Sequence, residues 1–340
     1  MYRFQHLSYQ EYLAACELAQ PRYFPQAVGE KISTQPGRWR NVIPLLIDIV
    51  AQRSERDVQA LGRVLLPQQN SSQLPADHVL WEMIVHAARL HAVHVHVYNA
   101  DEQRRLAAHI IHLIEQGALA PGERAEMGRI LAQLGDTRRG VGTTFVMIAG
   151  KVIELPEFVW CDVPAPPGNK FVMGATDQND NPRREVNLTY SFKIAKYVIT
   201  YRQFQTFIDS GEFDQPEWWA EFPPEYQPQA TSEQNNRYAN HPRDNVSWYQ
   251  AVAFARWLTA KQRAAGLLDE TLEIRLPLET EWEYAARATD ERQYPYEGDF
   301  DAAKGNTSST LGRNSASHLA KCTVVIPAYS SAKETKMLSP

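Results

Sequence analysis

An α+β fold in two parts, an all-α helical front followed by a mixed rear, is predicted by three features of the 340-residue sequence. Up to about residue 134 the apolar residues recur at helical spacing between capping residues. Between Asp136 and Gly150 the run D-T-R-R-G-V-G-T-T loses that periodicity and gains glycine. Beyond it, short alternating apolar runs stand between clusters of Pro, Gly and Asn, the texture of strands and turns. The boundaries read from these changes are 1–140 for the helical region, 141–154 for a linker and 155–340 for the rear domain.

Taken in order, the first helix is expected over Ser8 to Gln20, with Ser8 and Glu11 at the spacing of a capping box. A second spans Trp39 to Gln52, where Pro44 either kinks the helix or marks its first turn. Further helices are expected over Asp57 to Leu66, Asp77 to Tyr98, Asp101 to Gln116 and Gly122 to Leu134, with Gly117 and Gly135 placed to end the last two. In the rear, F-V-W-C-D-V, K-F-V-M-G and F-K-I-A-K-Y-V-I read as strands. Helices follow at Ser247 to about Gly266, with Ser247 and Gln250 as a second capping box, and at Glu279 to Ala288. Two long loops, Gly211 to Asn245 and Thr289 onward, are the segments where function concentrates on a small scaffold.

Composition narrows the function. A formal charge of −5 gives no global attraction to nucleic acid or anionic lipid, so neither nucleic acid nor a membrane is an expected partner. Val42 to Ala51, the longest apolar stretch, is too short to cross a bilayer, and the first residues lack the pattern of a secretory signal. Three widely spaced cysteines, Cys16, Cys161 and Cys322, suggest a reducing, cytoplasmic location and no disulfide framework.

Chemistry-bearing residues were weighed against their structural alternatives. His86, His91, His94 and His96, with His109 and His112 further on, raise the question of metal. Helical spacing puts His86 in an apolar stripe and points His91 and His96 elsewhere, so only His91 and His94 can share an ion, and no metal is expected. Glu279, Glu281 and Glu283 resemble an acid/base group, yet Glu281 suits a first helical turn and Glu283 precedes Arg287 by the four residues of a helix ion pair. D-Q-N-D-N, from Asp177 to Asn181, offers oxygen ligands but lacks the rest of a calcium loop. No phosphate loop, hydrolase elbow or dinucleotide fingerprint occurs. Trp218, Trp219, Tyr226 and Tyr238 in the first long loop either line a ligand groove or pin that loop down.

Over Phe158 to about Asn306 the rear resembles the sulfatase-modifying-factor, or formylglycine-generating enzyme-like, family. The resemblance rests on F-V-M-G with Met173 and Gly174, on F-K-I-A-K-Y-V-I-T, on H-P-R-D-N-V-S-W with Ser247 and Trp248, and on R-L-P-L-E-T-E-W-E-Y-A-A-R. That last motif contains Arg275, Pro277, Glu281, Trp282 and Arg287. It implies a C-type-lectin-like fold with little regular structure and, as the family's activity, oxidation of a sulfatase cysteine to formylglycine. These motif residues are expected to be scaffold, with Trp248 buried beside Arg275 to Arg287. Leu278 stands where the family usually has Thr, removing an N-cap worth about 1 kcal/mol. The family's G-N-V-W-E-W segment and redox cysteines have no counterpart after Asn306. Copper or calcium is therefore expected only with a segment this chain lacks, and the catalytic residues are left unknown.

The front resembles the tail of NACHT-type signalling NTPases through Phe4, His6, Ser8, Tyr9, Gln10, Glu11, Tyr12, Leu13, Ala14 and Ala15. R-W-R-N-V-I-P-L-L and R-A-E-M-G-R-I-L-A-Q-L-G-D extend that likeness. Both ends of the chain are expected to be cut. The preferred reading is a ligand-binding or sensor module of a bacterial-type signalling protein, with an upstream NTPase module and an unknown ligand or protein target as partners. The alternatives are a formylglycine-generating oxidase and an inactive truncated product.

Overall fold

A computed structural model describes residues 6–71, 78–175, 181–227, 231–304 and 325–327 and divides the chain into two compact units, Met1–Thr137 and Arg138–Pro340. In the first unit the helices are α1 (Leu7–Leu18), α2 (Gln26–Thr34), α3 (Pro36–Trp39), α4 (Val42–Ala51), α5 (Glu55–Leu65), α6 (His78–Val93), α7 (Ala100–Glu115) and α8 (Pro121–Leu134). Their inward stripes meet in one core that includes Ile43, Leu46, Leu61, Leu65, Ile84, Leu90, Leu106, Ile110 and Leu131.

Several ends follow the capping chemistry. Asn99 caps α7 with Glu102 in a full capping box, and Ser54 caps α5 through Asp57 N. Pro44 sits in the first turn of α4, where its missing N–H costs nothing. Gly117 and Gly135 take positive φ just past α7 and α8. Other expectations fail. Ser8 lies inside α1, whose N-cap is His6 without a side-chain bond, because the helix starts earlier than the capping box implied. Helix α6 ends at Val93, five residues before Tyr98, which leaves Val93 exposed. Helix α2 was not anticipated; its sequence Q-A-V-G-E-K-I-S-T is only nine residues long and contains a glycine.

Unit 2 opens with an antiparallel hairpin of β1 (Thr143–Ile148) and β2 (Lys151–Pro156), so the residues read as a linker, 141–154, hold most of a folded hairpin. The glycine-rich, aperiodic run D-T-R-R-G-V-G-T-T that read as a linker leads into this hairpin, whose tight turn is made by Ala149 and Gly150, both at positive φ. Strand β3 (Trp160–Val163) pairs antiparallel with β6 (Phe192–Ala195), which also pairs with β7 (Val325–Pro327). Strands β4 (Lys170–Met173) and β5 (Arg184–Asn187) form a separate pair.

Among the described residues of this unit the α-helices are α9 (Tyr201–Asp209), α10 (Trp248–Ala264) and α11 (Glu279–Arg287). The sequence reading missed α9, although Thr200 and Gln203 form a full capping box at its start. Its core is aromatic, with Phe204 stacked on Phe254 and Phe207 against Trp257, and a smaller cluster of Phe171, Met173, Phe192 and Tyr284 joins β4 to α11. Among the described residues no helix is long and apolar enough to cross a membrane.

Candidate functional site

The R-L-P-L-E-T-E-W-E-Y-A-A-R motif folds into a closed set of charge pairs. Glu281, fully buried on α11, accepts two bonds from Arg275, at 2.6 and 2.8 Å, one from Tyr190 Oη at 2.8 Å and one from Leu278 N at 2.7 Å. That last bond serves the helix start from the Glu side, while Leu278 has no side-chain oxygen to return it. Burial and the Glu281 carboxylate together push the Tyr190 hydroxyl up to about 12.

Two residues later Glu283 accepts from Gly174 N at 2.7 Å, Asn181 Nδ2 at 3.0 Å and Arg287 Nη1 at 2.5 Å. Burial opposes ionisation of Glu283, but these donors outweigh it and hold the carboxyl below its usual range. Gly174, at φ +81°, must be glycine here: a Cβ would lie 2.4 Å from Pro182 O. Met173 is fully buried and Pro277 half-buried, whereas Trp282 is 50% exposed. On α11 Glu281 and Glu283 point about 200° apart and are buried against different partners, Arg275 and Tyr190 on one side and Gly174 and Asn181 on the other, while Trp282 lies on the open arc between them.

The long loop between α9 and α10 resolves the aromatic question residue by residue. Trp218 and Trp219, on a 3-10 turn (Pro216–Trp219), are buried, and Trp219 Nε1 donates to Phe213 O at 2.7 Å, which pins the loop. Tyr226, 41% exposed, stacks on Tyr249 with centroids 4.2 Å apart and planes at 14°. Phe222 and Trp248 meet Tyr249 edge-on at 5.0 and 5.2 Å. Trp248 is therefore half-buried in this aromatic face instead of deep in the core beside Arg275, because it is the first residue of α10 and sits at the unit's rim. Tyr238, half-buried, packs against His241 at 4.8 Å. Ser247 caps α10 with Gln250 as expected.

Arg243, which no sequence feature had singled out, is buried over the rings of Tyr201 and Phe204. It is the arginine of the H-P-R-D-N-V-S-W motif, in which only Ser247 and Trp248 were given a role.

In unit 1 His86 is buried with Nε2 3.9 Å from Glu82 Oε2, and burial pushes its pKa down to about 3. His91, expected to point away from the core, is also buried and stacks on Tyr98, while His94 is half-buried, so that pair is not presented to a common ion. His109 Nε2 donates to Pro67 O at 3.2 Å. Among the described residues no three His, Cys, Asp or Glu side chains are grouped to hold a metal.

A thiolate copper site needs paired soft ligands. Cys161 stands alone and exposed on β3, Cys16 belongs to the other unit, and Cys322 lies outside the described residues. The described residues do not fit that metal, and no step is drawn through it. Asp177 to Asp180 of the candidate calcium segment also lie outside the described residues.

Residues 154–333 match the sulfatase-modifying factor enzyme 1-like domain. The formylglycine-generating enzyme of Thermomonospora curvata is 28% identical over 185 residues, covering 44% of this chain and 54% of that protein. The hercynine oxygenases of Mycolicibacterium smegmatis and Mycobacterium tuberculosis are 28% and 30% identical, covering 35% and 37% of this chain and 30% and 33% of their own lengths. The chain thus spans about half of the first relative and about a third of each of the others. No solved structure matches it. With the F-V-M-G and R-L-P-L-E-T-E-W-E-Y-A-A-R motifs joined through Glu283, and the match covering more than half its length, the chain belongs to the sulfatase-modifying factor enzyme 1-like family.

Proposed function

We propose that unit 2 is a ligand-binding or sensor module built on this family's scaffold, lectin-like in its arrangement, and that unit 1 is the helical connector to a NACHT-type NTPase in a cytoplasmic signalling protein. The observation that carries the binding reading is the loop between α9 and α10, anchored from below by Trp218 and Trp219 and presenting Tyr226 stacked on Tyr249 at the surface. Flat aromatic faces held rigidly at low entropy cost are what small-ligand and peptide contacts are made of. The motif carboxylates support the same reading, since Glu281 and Glu283 are spent on Arg275, Arg287 and backbone amides and hold no lone pair poised for proton transfer.

A second reading, an oxidase acting on a sulfatase cysteine, is favoured by the name of the Thermomonospora curvata relative. Thermal-shift measurements of the full chain against a panel of amino acids, nucleosides and sugars test the first reading. A stabilising compound whose effect disappears in Tyr226→Ala supports it. A panel whose effects are unchanged in that variant removes the aromatic face from the account.

A further inference from the structure

We propose that Arg243 is a binding residue for a small carboxylate, at the N-terminal half of α9. Arg243 is 4% exposed. Its backbone N donates to Ile199 O at 2.9 Å, and the neighbouring bridge between Thr200 and Pro242 fixes it at the entrance to α9. The guanidinium carbon lies 5.2 Å from the Tyr201 ring centroid and 4.9 Å from that of Phe204. Five N–H donors are available, yet among the described residues the side chain makes one long bond, Nη1 to Gln205 Oε1 at 3.4 Å, and buried Nε has no partner.

Other arginines of the unit behave differently. Arg275 pairs with Glu281, Arg287 with Glu283, and Arg202 with Glu154 and Asp209. Arg243 makes no ion pair among the described residues, because the adjacent Asp244 carboxylate turns to Asn235 Nδ2 at 3.0 Å. Buried arginines are nearly always paired with an anion, and removing this one from water without a partner is costly enough to depress its pKa. The positive end of the α9 dipole adds to the demand for negative charge.

The ligand class follows from what surrounds the fork. A guanidinium matches the two oxygens of a carboxylate in its own plane. The same fork also fits phosphoryl oxygens, but the extra donors that a helix start adds for a phosphoryl group are taken at α9: Tyr201 N by His241 O, Arg202 N by Ala239 O and Gln203 N by Thr200 Oγ1. The proposal rests on different residues from the Tyr226 face and stands or falls without it.

The test is the line width of [13C]acetate in NMR spectra on adding the full chain, with two variants. Saturable broadening is expected with the parent, weakened at least about tenfold in Arg243→Gln. In Gln205→Glu a built-in carboxylate occupies the guanidinium, so acetate binding is expected to vanish while the thermal midpoint in acetate-free buffer rises. The second variant decides the matter if Arg243→Gln fails to fold. Absence of broadening with the parent, or broadening that persists in Gln205→Glu, overturns the proposal.

Discussion

Glu281 and Trp282 are chain neighbours with opposite fates, and the difference is testable. Glu281 is fully buried and takes four hydrogen bonds, two of them from Arg275. Replacing it by Gln leaves a half-buried guanidinium without its counter-charge, and the expected loss is about 3–5 kcal/mol in denaturant unfolding of unit 2. Trp282→Ala, at a side chain half in water, is expected to cost about 1 kcal/mol or less. Equal effects from the two would contradict the assigned helix face. The sequence showed the pairing of Glu283 with Arg287, because helix spacing alone sets it, and placed Glu281 in the first turn. It could not show that Trp282 faces out, since a large apolar residue in a motif looks like core until its neighbours are placed. Arg243 was invisible for the converse reason: a charged residue in a loop is ordinarily solvated, and only the packing of Tyr201 and Phe204 buries it.

At the level of elements, capping chemistry was the most readable signal and also the one most easily passed over. Ser247 and Gln250 marked the start of α10 correctly, whereas the equivalent Thr200 and Gln203 at α9, directly after the run F-K-I-A-K-Y-V-I read as a strand, were passed over. Thr200 is more than a cap. Its Oγ1 accepts from Gln203 N and donates to Val141 O at 2.9 Å, tying the start of α9 to the chain just before β1. Thr200→Val keeps the shape and removes both bonds, and a loss of about 2–3 kcal/mol is expected, part of it the cost of leaving the Val141 carbonyl unpaired. A stability within error of the parent would show that this tie is replaced by water. The hairpin of β1 and β2 was read as a linker because its exposed face carries Phe145, Met147 and Val152, so the half-buried alternation of an ordinary strand was absent.

For the whole molecule, the two units differ in how they hold ionisable groups. His86, His91 and His109 in unit 1 are buried and their pKa values lie below the ordinary 6.5, in each case chiefly through burial. A depressed histidine means the unfolded chain binds more protons, so the stability it contributes is complete above pH 6.5 and is lost as pH falls toward the folded-state values. Glu283 in unit 2 is depressed below 4.5, so its contribution persists until pH drops under 4.5. Hydrogen exchange read by mass spectrometry over a pH series is expected to show unit 1 opening first on acidification, and simultaneous opening would contradict these environments. The two-part texture of the chain was legible because helical periodicity gives way to short strands. The site was legible only as scaffold, because the residues that carry the binding proposals gain their meaning from loop packing. The central claim is that this scaffold binds and does not oxidise. Its most direct test is mass spectrometry of a cysteine-containing sulfatase peptide incubated with the full chain, copper and oxygen, beside a Cys161→Ser, Cys322→Ser double variant. The account predicts an unchanged thiol mass in both samples. Conversion of the cysteine to its aldehyde by the parent, lost in the double variant, would contradict it.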